Sequence, residues 1–131
     1  MVRTQNQIRS AVKEYVRALE PAVSVREIIL YGSYAKGQAR EESDIDIAVL
    51  SDDFARMSEL EVIQVLAHRM IHCDSLLMPV GYTPAKFHDP DNTFAREIAR
   101  TGKVIYRAPR KRAAPARRSR ARTPRSTAAQ R

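Results

Sequence analysis

The chain has 131 residues, a length that predicts one domain with its own hydrophobic core. A single cysteine excludes internal disulfides and a cysteine zinc cluster, and no apolar run approaches the length of a membrane-spanning helix. The net charge of +8 is unevenly distributed, because residues 1–107 carry 14 basic and 15 acidic residues, whereas residues 108–131 carry nine basic residues and no acid. We therefore expect a near-neutral domain over 1–107 and a disordered basic tail over 108–131. The cysteine usage and the lack of an apolar signal segment lead us to expect a cytoplasmic protein.

Helical and strand patterns alternate along the first 107 residues. Helices are indicated by apolar residues at a spacing of three and four, and strands by short β-branched apolar runs. The pattern predicts helices at 4–19, at 55–72 and over a last segment that ends at Gly102, and strands at 28–31, 45–50, 74–82 and 104–106. Pro79 lies inside the third strand and favours an edge position or a bend there. The predicted fold class is α+β.

The connection between the first two strands has the features of a phosphate-binding turn. Gly32 allows a sharp turn and the close approach of a ligand, and Ser33 is expected to cap a short helix over 34–36. A helix N-terminus presents free N–H groups and a partial positive charge, which suit a phosphate group. Lys36 either adds positive charge near the phosphates or is a solvated loop lysine.

Two carboxylates lie at the start of the second strand. Asp44 and Asp46 are two residues apart, so a strand directs both to one face, roughly 6.5–7 Å apart. Two carboxylates on one face repel each other unless a cation lies between them, and such oxygen ligands suit a Mg²⁺ ion that is shared with substrate phosphates. With the adjacent turn, the pair predicts a nucleoside-triphosphate site in which Asp44 and Asp46 are catalytic and metal-binding.

Other polar groups favour a structural interpretation. Asp52 and Asp53 follow the second strand and are predicted to cap the next helix. His68 and His72 are four residues apart and could share a helix face, but the sequence lacks a metalloprotease glutamate between them, so we interpret them as structural or surface residues.

The spacing of Gly32-Ser33, ten residues and Asp44-x-Asp46 resembles that of the nucleotidyltransferase superfamily related to DNA polymerase β. The nearest resemblance, over about 25–107, is to its small single-domain members, the minimal nucleotidyltransferases. It implies a small mixed sheet packed with helices, Mg²⁺ as cofactor, ATP as nucleotide donor, and phosphate binding by Gly32, Ser33 and Lys36. In that superfamily a third acidic residue on a neighbouring strand helps to hold metal and activates the attacking hydroxyl. Asp74 is the local candidate for this catalytic and metal-binding role, and a surface aspartate is the alternative.

The resemblance also implies an acceptor. Minimal nucleotidyltransferases of this kind are often antitoxins paired with a HEPN-domain ribonuclease, and they transfer AMP from ATP to a tyrosine of that toxin. This is the expected function. One alternative is transfer to a small hydroxyl substrate such as an aminoglycoside, with a partner domain completing the pocket. Another is an inactive module of the same fold that binds a partner or nucleic acid.

The tail over 108–131 has its own pair of interpretations. Its positive charge could bind nucleic acid nonspecifically, since it lacks the aromatic residues that stack on bases. A merely solubilising segment is the equal alternative, and no membrane partner is expected.

Overall fold

The computed structural model describes residues 2–109, so the predicted basic tail lies outside the described residues from residue 110 onward. Within this range the elements are α1 (Gln5–Leu19), β1 (Glu27–Tyr31), β2 (Ile45–Leu50), a 3₁₀ helix (Asp52–Arg56), α2 (Glu59–His68), β3 (Leu77–Tyr82), α3 (Pro84–Phe87), α4 (Thr93–Thr101) and β4 (Lys103–Arg107). None of these helices is long and apolar enough to cross a membrane.

The four strands form one mixed sheet in the order β3-β2-β1-β4. β1 pairs antiparallel with both β2 and β4, whereas β2 and β3 are parallel. A parallel pair needs a crossover connection, which here contains α2. The mixed sheet with flanking helices confirms the predicted α+β class, and β3 lies at the edge, as Pro79 indicated. The parallel pairing also sets the start of β3 beside the start of β2, where the two aspartates lie.

The sheet is covered on both faces, because side chains alternate along each strand. One face packs Ile28, Ile45 and Ile47 against α1 and Leu66 of α2. The other packs Ile29, Ala48 and Leu50 against Phe87, Ala95 and Ile98 of α3 and α4. The hydroxyl of the fully buried Tyr15 donates to the Leu66 carbonyl oxygen at 2.7 Å and ties α1 to α2. The strands are therefore held rigidly from both sides, and with them the residues at their ends.

The helix predicted over 55–72 is wrong in its extent. Ser58 caps α2 in a reciprocal pair of hydrogen bonds with Glu61, so the helix begins at Glu59 and the preceding turn is a separate 3₁₀ helix. The apolar stripe is only partly internal, because Leu66 is buried while Leu60 and Ile63 are 62% and 63% exposed. The capping pattern, rather than the stripe, determines where this helix starts.

Candidate active site

The segment that the sequence predicts to bind phosphate, 32–38, is a hydrogen-bonded turn rather than the predicted short helix. The Lys36 N–H donates to the Gly32 carbonyl oxygen at 3.1 Å, and the Gln38 N–H donates to the Ser33 carbonyl oxygen at 2.8 Å. Within residues 2–109 the N–H groups of Ser33 and Tyr34 donate to no other residue. Two successive free N–H groups in a turn suit an anionic oxygen, so the turn can still bind a phosphate group.

Gly32 brings this turn directly against the acidic pair. Its φ of +75° lies in the left-handed region that L side chains rarely adopt. A Cβ atom there would also collide with Oδ2 of Asp46, at a separation that real Cβ atoms essentially never show. Only glycine satisfies both conditions, and the structure thus brings Gly32 and Asp46 into contact as the motif predicted.

Asp44 and Asp46 form a pair of like charges, and no counter-charge pairs with them among residues 2–109. Asp44 is exposed just before β2, and Asp46 is half-buried as the second residue of the strand. Burial raises the pKa of Asp46, and the negative charge of Asp44 raises it further. Neither carboxylate forms a hydrogen bond or an ion pair with another residue in the described part of the chain. A divalent cation with a preference for oxygen ligands would relieve this repulsion, so the two side chains fit Mg²⁺.

Tyr31 is a neighbour of this pair that the sequence analysis missed. It is the register partner of Asp46 across the antiparallel β1–β2 pair, so both side chains lie on one face. Burial, with a smaller contribution from the charge of Asp46, raises the pKa of Tyr31 to about 12. The ring packs edge-on against Phe94 with centroids 5.9 Å apart. Tyr31 therefore provides a neutral hydroxyl on an aromatic wall next to the acids.

Asp74 does not join the pair. Its carboxylate forms a two-point ion pair with Arg3, at 2.8 Å from Nε and 3.0 Å from a terminal guanidinium nitrogen, and it also accepts the Leu76 N–H at 3.0 Å. Arg3 lowers the pKa of Asp74 despite partial burial of the carboxyl. Among residues 2–109 no group of three acidic, histidine or cysteine side chains could hold a metal ion. The geometry therefore gives Asp74 a structural partner and does not support the predicted metal role.

Arg3 links Asp74 to the turn at 32–38. Its backbone N–H donates to the Tyr34 hydroxyl at 3.0 Å while its side chain holds Asp74. No motif signals this contact, since Arg3 lies 31 residues before Tyr34 and 71 before Asp74. Arg3 is thus a candidate positioning residue for the turn.

The remaining candidates are accounted for by local structure. Asp52 and Asp53 lie in the first turn of the 3₁₀ helix, where acids are expected, but the cap is Ser51, whose hydroxyl accepts the Asp53 N–H at 3.1 Å. Asp52 pairs with Arg26 at 3.0 Å, and Asp53 pairs with Arg56 and accepts the Ser24 N–H. His68 ends α2 and His72 lies beyond it, so the two do not share a helix face. Lys36 is exposed at the turn.

An apolar groove of about 590 Å³ lies along the β3 edge, with Ile63 of α2 and Met78 of β3 in its lining. Neither Asp44 nor Asp46 contributes to that lining. The acidic pair therefore lies outside the lining of this groove, although Met78 belongs to the lining and is also the register partner of Asp46.

Comparison with known proteins agrees with this geometry. Residues 12–111 match the family model described as Polymerase beta, Nucleotidyltransferase. A candidate protein adenylyltransferase of Methanocaldococcus jannaschii is 34% identical over 107 residues, which cover 73% of this chain and 95% of that protein. The protein adenylyltransferase MntA of Thermococcus cleftensis is 39% identical over 57 residues, which cover 44% of this chain and 54% of the relative.

Two solved structures share the fold. A candidate nucleotidyltransferase of Sulfolobus solfataricus has a TM-score of 0.59 at 14% identity, covering 79% of this chain and 83% of that one. A toxin-antitoxin structure with AMP-PNP has a TM-score of 0.55 at 21% identity, covering 76% of this chain and 73% of that one. The family model spans most of the chain, and the first relative is matched over nearly its whole length. The chain therefore belongs to the polymerase β-like nucleotidyltransferase family and is a nucleotidyltransferase.

Proposed function

We propose that this protein is an Mg²⁺-dependent enzyme that transfers AMP from ATP to a hydroxyl group, on a tyrosine of a HEPN-type toxin partner, and so acts as an antitoxin. Nucleotide binding in this proposal rests on the contact between the Gly32 turn and the Asp46 carboxylate, which has no ion-pair partner among residues 2–109. The relatives named as protein adenylyltransferases support AMP as the transferred group and a protein as acceptor. The toxin-antitoxin structure with AMP-PNP supports a toxin as the partner. The resemblance to minimal nucleotidyltransferases is the basis for proposing that this toxin is of the HEPN type.

The residues of the site have distinct roles in this proposal. Asp44 and Asp46 would hold Mg²⁺, which when bound offsets the negative charge of the triphosphate and of the leaving pyrophosphate. The Ser33 hydroxyl and the free N–H groups of Ser33 and Tyr34 would donate to phosphate oxygens. Lys36 would add positive charge at the open side of the turn.

The reaction forms one bond and breaks one. The acceptor oxygen bonds to the α-phosphorus of ATP, the bond from that phosphorus to the pyrophosphate oxygen breaks, and the acceptor proton passes to a base. The fixed turn contributes by holding the β- and γ-phosphates while the α-phosphorus faces the acceptor. Catalysis of this kind depends mainly on positioning and charge stabilisation, which a short turn and two carboxylates can supply.

The proposal is tested by incubating the protein with Mg²⁺ and ATP labelled on the α-phosphate, with and without a HEPN-type protein encoded beside it. We expect label on a tyrosine of the partner, located by mass spectrometry. Asp44→Asn and Asp46→Asn should abolish the label while binding of the partner persists.

Asp52→Asn is the matched control, because Asp52 is an acid that pairs with Arg26 outside the site. It should leave labelling unchanged. A partner that binds the wild-type chain but receives no label would refute the proposal that a tyrosine of the partner is the acceptor. Equal labelling by the Asp46→Asn and Asp52→Asn variants would refute the assignment of Asp46 to the active site.

A further inference from the structure

Position 78 is the point on β3 that faces the acidic pair. The parallel register of β2 and β3 pairs Asp46 with Met78, and register partners in adjacent strands have their side chains on the same face. Val80 and Tyr82, which alternate with Met78 along β3, pack in the same cluster as Tyr31. Met78 itself is 49% exposed. Asp46 is thus flanked by Tyr31 on one neighbouring strand and by Met78 on the other.

No acid of this chain replaces Met78 there. Residues 2–109 contain no group of three acidic, histidine or cysteine side chains that could hold a metal ion, and residues 110–131 contain none of these residue types. Asp74 lies four residues before Met78 and is engaged by Arg3. The methionine thioether is a soft ligand, whereas Mg²⁺ takes oxygen ligands. β3 therefore offers the pair no side chain suited to magnesium.

We infer that the metal centre of this chain consists of the two carboxylates of Asp44 and Asp46, with Met78 in the position from which a third carboxylate would reach them. The inference rests on the proposed function and narrows it, since a two-carboxylate centre holds one divalent ion together with the nucleotide. It also follows that no acid on β3 takes the proton of the acceptor hydroxyl. An acid introduced at position 78 should complete a three-carboxylate centre that holds a second ion.

The test counts bound ions rather than turnover. Mn²⁺ is titrated into the protein with saturating AMP-PNP and, separately, into the same concentration of AMP-PNP alone. Free Mn²⁺ is measured by its electron paramagnetic resonance signal, and the difference between the two titrations gives the ions bound to the protein. We expect one ion per chain for the wild type and for Met78→Leu, which keeps an apolar side chain of similar size. Met78→Asp and Met78→Glu should each bind a second ion, and circular dichroism verifies that both are folded.

Two results would overturn the inference while leaving the proposed function intact. One is a wild-type chain that binds two ions with the nucleotide. The other is a pair of folded acidic variants that both still bind one. A wild-type chain that binds neither AMP-PNP nor Mn²⁺ would overturn the proposed function and this inference together.

Discussion

The contact between Gly32 and Asp46 can be separated from the backbone requirement by comparing two glycines. Gly32 and Gly37 have nearly equal φ angles of +75° and +72°. An alanine at either position meets the same left-handed penalty, about 1–2 kcal/mol. The surroundings differ, because a Cβ atom at Gly32 would collide with the Asp46 carboxylate, whereas one at Gly37 would have nothing within 4 Å. Gly37→Ala is therefore a matched control for the backbone term.

Both variants should be less stable than the wild type, but only Gly32→Ala should have a lower affinity for the nucleotide. We expect Gly37→Ala to lower the free energy of unfolding by about 1–2 kcal/mol and to bind Mg²⁺-AMP-PNP like the wild type. Gly32→Ala must also displace Asp46, and the loss of one contact to a charged group costs about 1.5–3 kcal/mol. That corresponds to a dissociation constant about tenfold to a hundredfold higher.

Urea denaturation followed by far-ultraviolet circular dichroism measures the free energy of unfolding, and isothermal titration calorimetry with Mg²⁺-AMP-PNP measures the dissociation constant of the nucleotide. Equal loss of binding in both variants would show that backbone conformation, not the contact with Asp46, governs the site. Wild-type affinity in a folded Gly32→Ala variant would refute the assignment of the turn to the nucleotide.

Four further predictions concern charge, packing and the tail. Because folding raises the pKa of Asp46, the charged Asp46 carboxylate destabilises the folded state at pH values above its unfolded pKa of about 4. Asp46→Asn should therefore raise the urea midpoint at pH 7 in EDTA, and this increase in the midpoint should vanish below about pH 4. Arg3 lowers the pKa of Asp74, so this ion pair stabilises the fold above the unfolded pKa of Asp74, and its contribution is lost as the pH falls towards the depressed folded value. Arg3→Met should therefore lower the urea midpoint at pH 7, by an amount that shrinks on acidification, and it should leave Mg²⁺-AMP-PNP binding unchanged because the backbone N–H that donates to Tyr34 is retained. Tyr15→Phe should cost about 1–2 kcal/mol in urea denaturation, since a buried carbonyl of α2 loses its donor, without changing nucleotide affinity. Deletion of residues 108–131 should abolish salt-sensitive retention on nucleic acid and leave nucleotide binding unchanged, and retention equal to that of the full chain would exclude the tail as a binding element.

The placements around the candidate site that follow from the sequence are those set by near neighbours in the chain. Asp44 and Asp46 can be interpreted as a pair because strand alternation operates within three residues. Gly32 can be identified because a turn between two strands needs it. The start of α2 could also have been found from the Ser58–Glu61 capping pattern, which competes locally with the apolar stripe.

The parts that the sequence does not reveal depend on partners far apart in the chain. Asp74 is the first residue of the predicted third strand, but β3 begins only at Leu77, so Asp74 lies before the strand. Which β3 residue faces the pair depends on the register of β3, which no local pattern encodes. Its actual partner, Arg3, lies 71 residues away. The exposure of Leu60 and Ile63 likewise follows from which face of α2 meets the sheet.

The register of β2 and β3 helps to separate two parts of the proposed site, one for the nucleotide donor and one for the acceptor. In the proposed function the donor half is formed by the Gly32 turn and Asp46, which are in contact within this chain. We propose that the acceptor approaches along β3, where Met78 is exposed and lines the apolar groove as well as facing Asp46. Because a methionine there can neither bind magnesium nor accept a proton, what it can contribute to an acceptor is an apolar contact. Substitutions at position 78 can therefore change metal binding and the apolar contact. Met78→Asp should bind an additional ion, and Met78→Ala should lose affinity for the partner without any change in nucleotide binding. A Met78→Ala variant with wild-type partner affinity would show that the acceptor approaches the acids from a side other than β3.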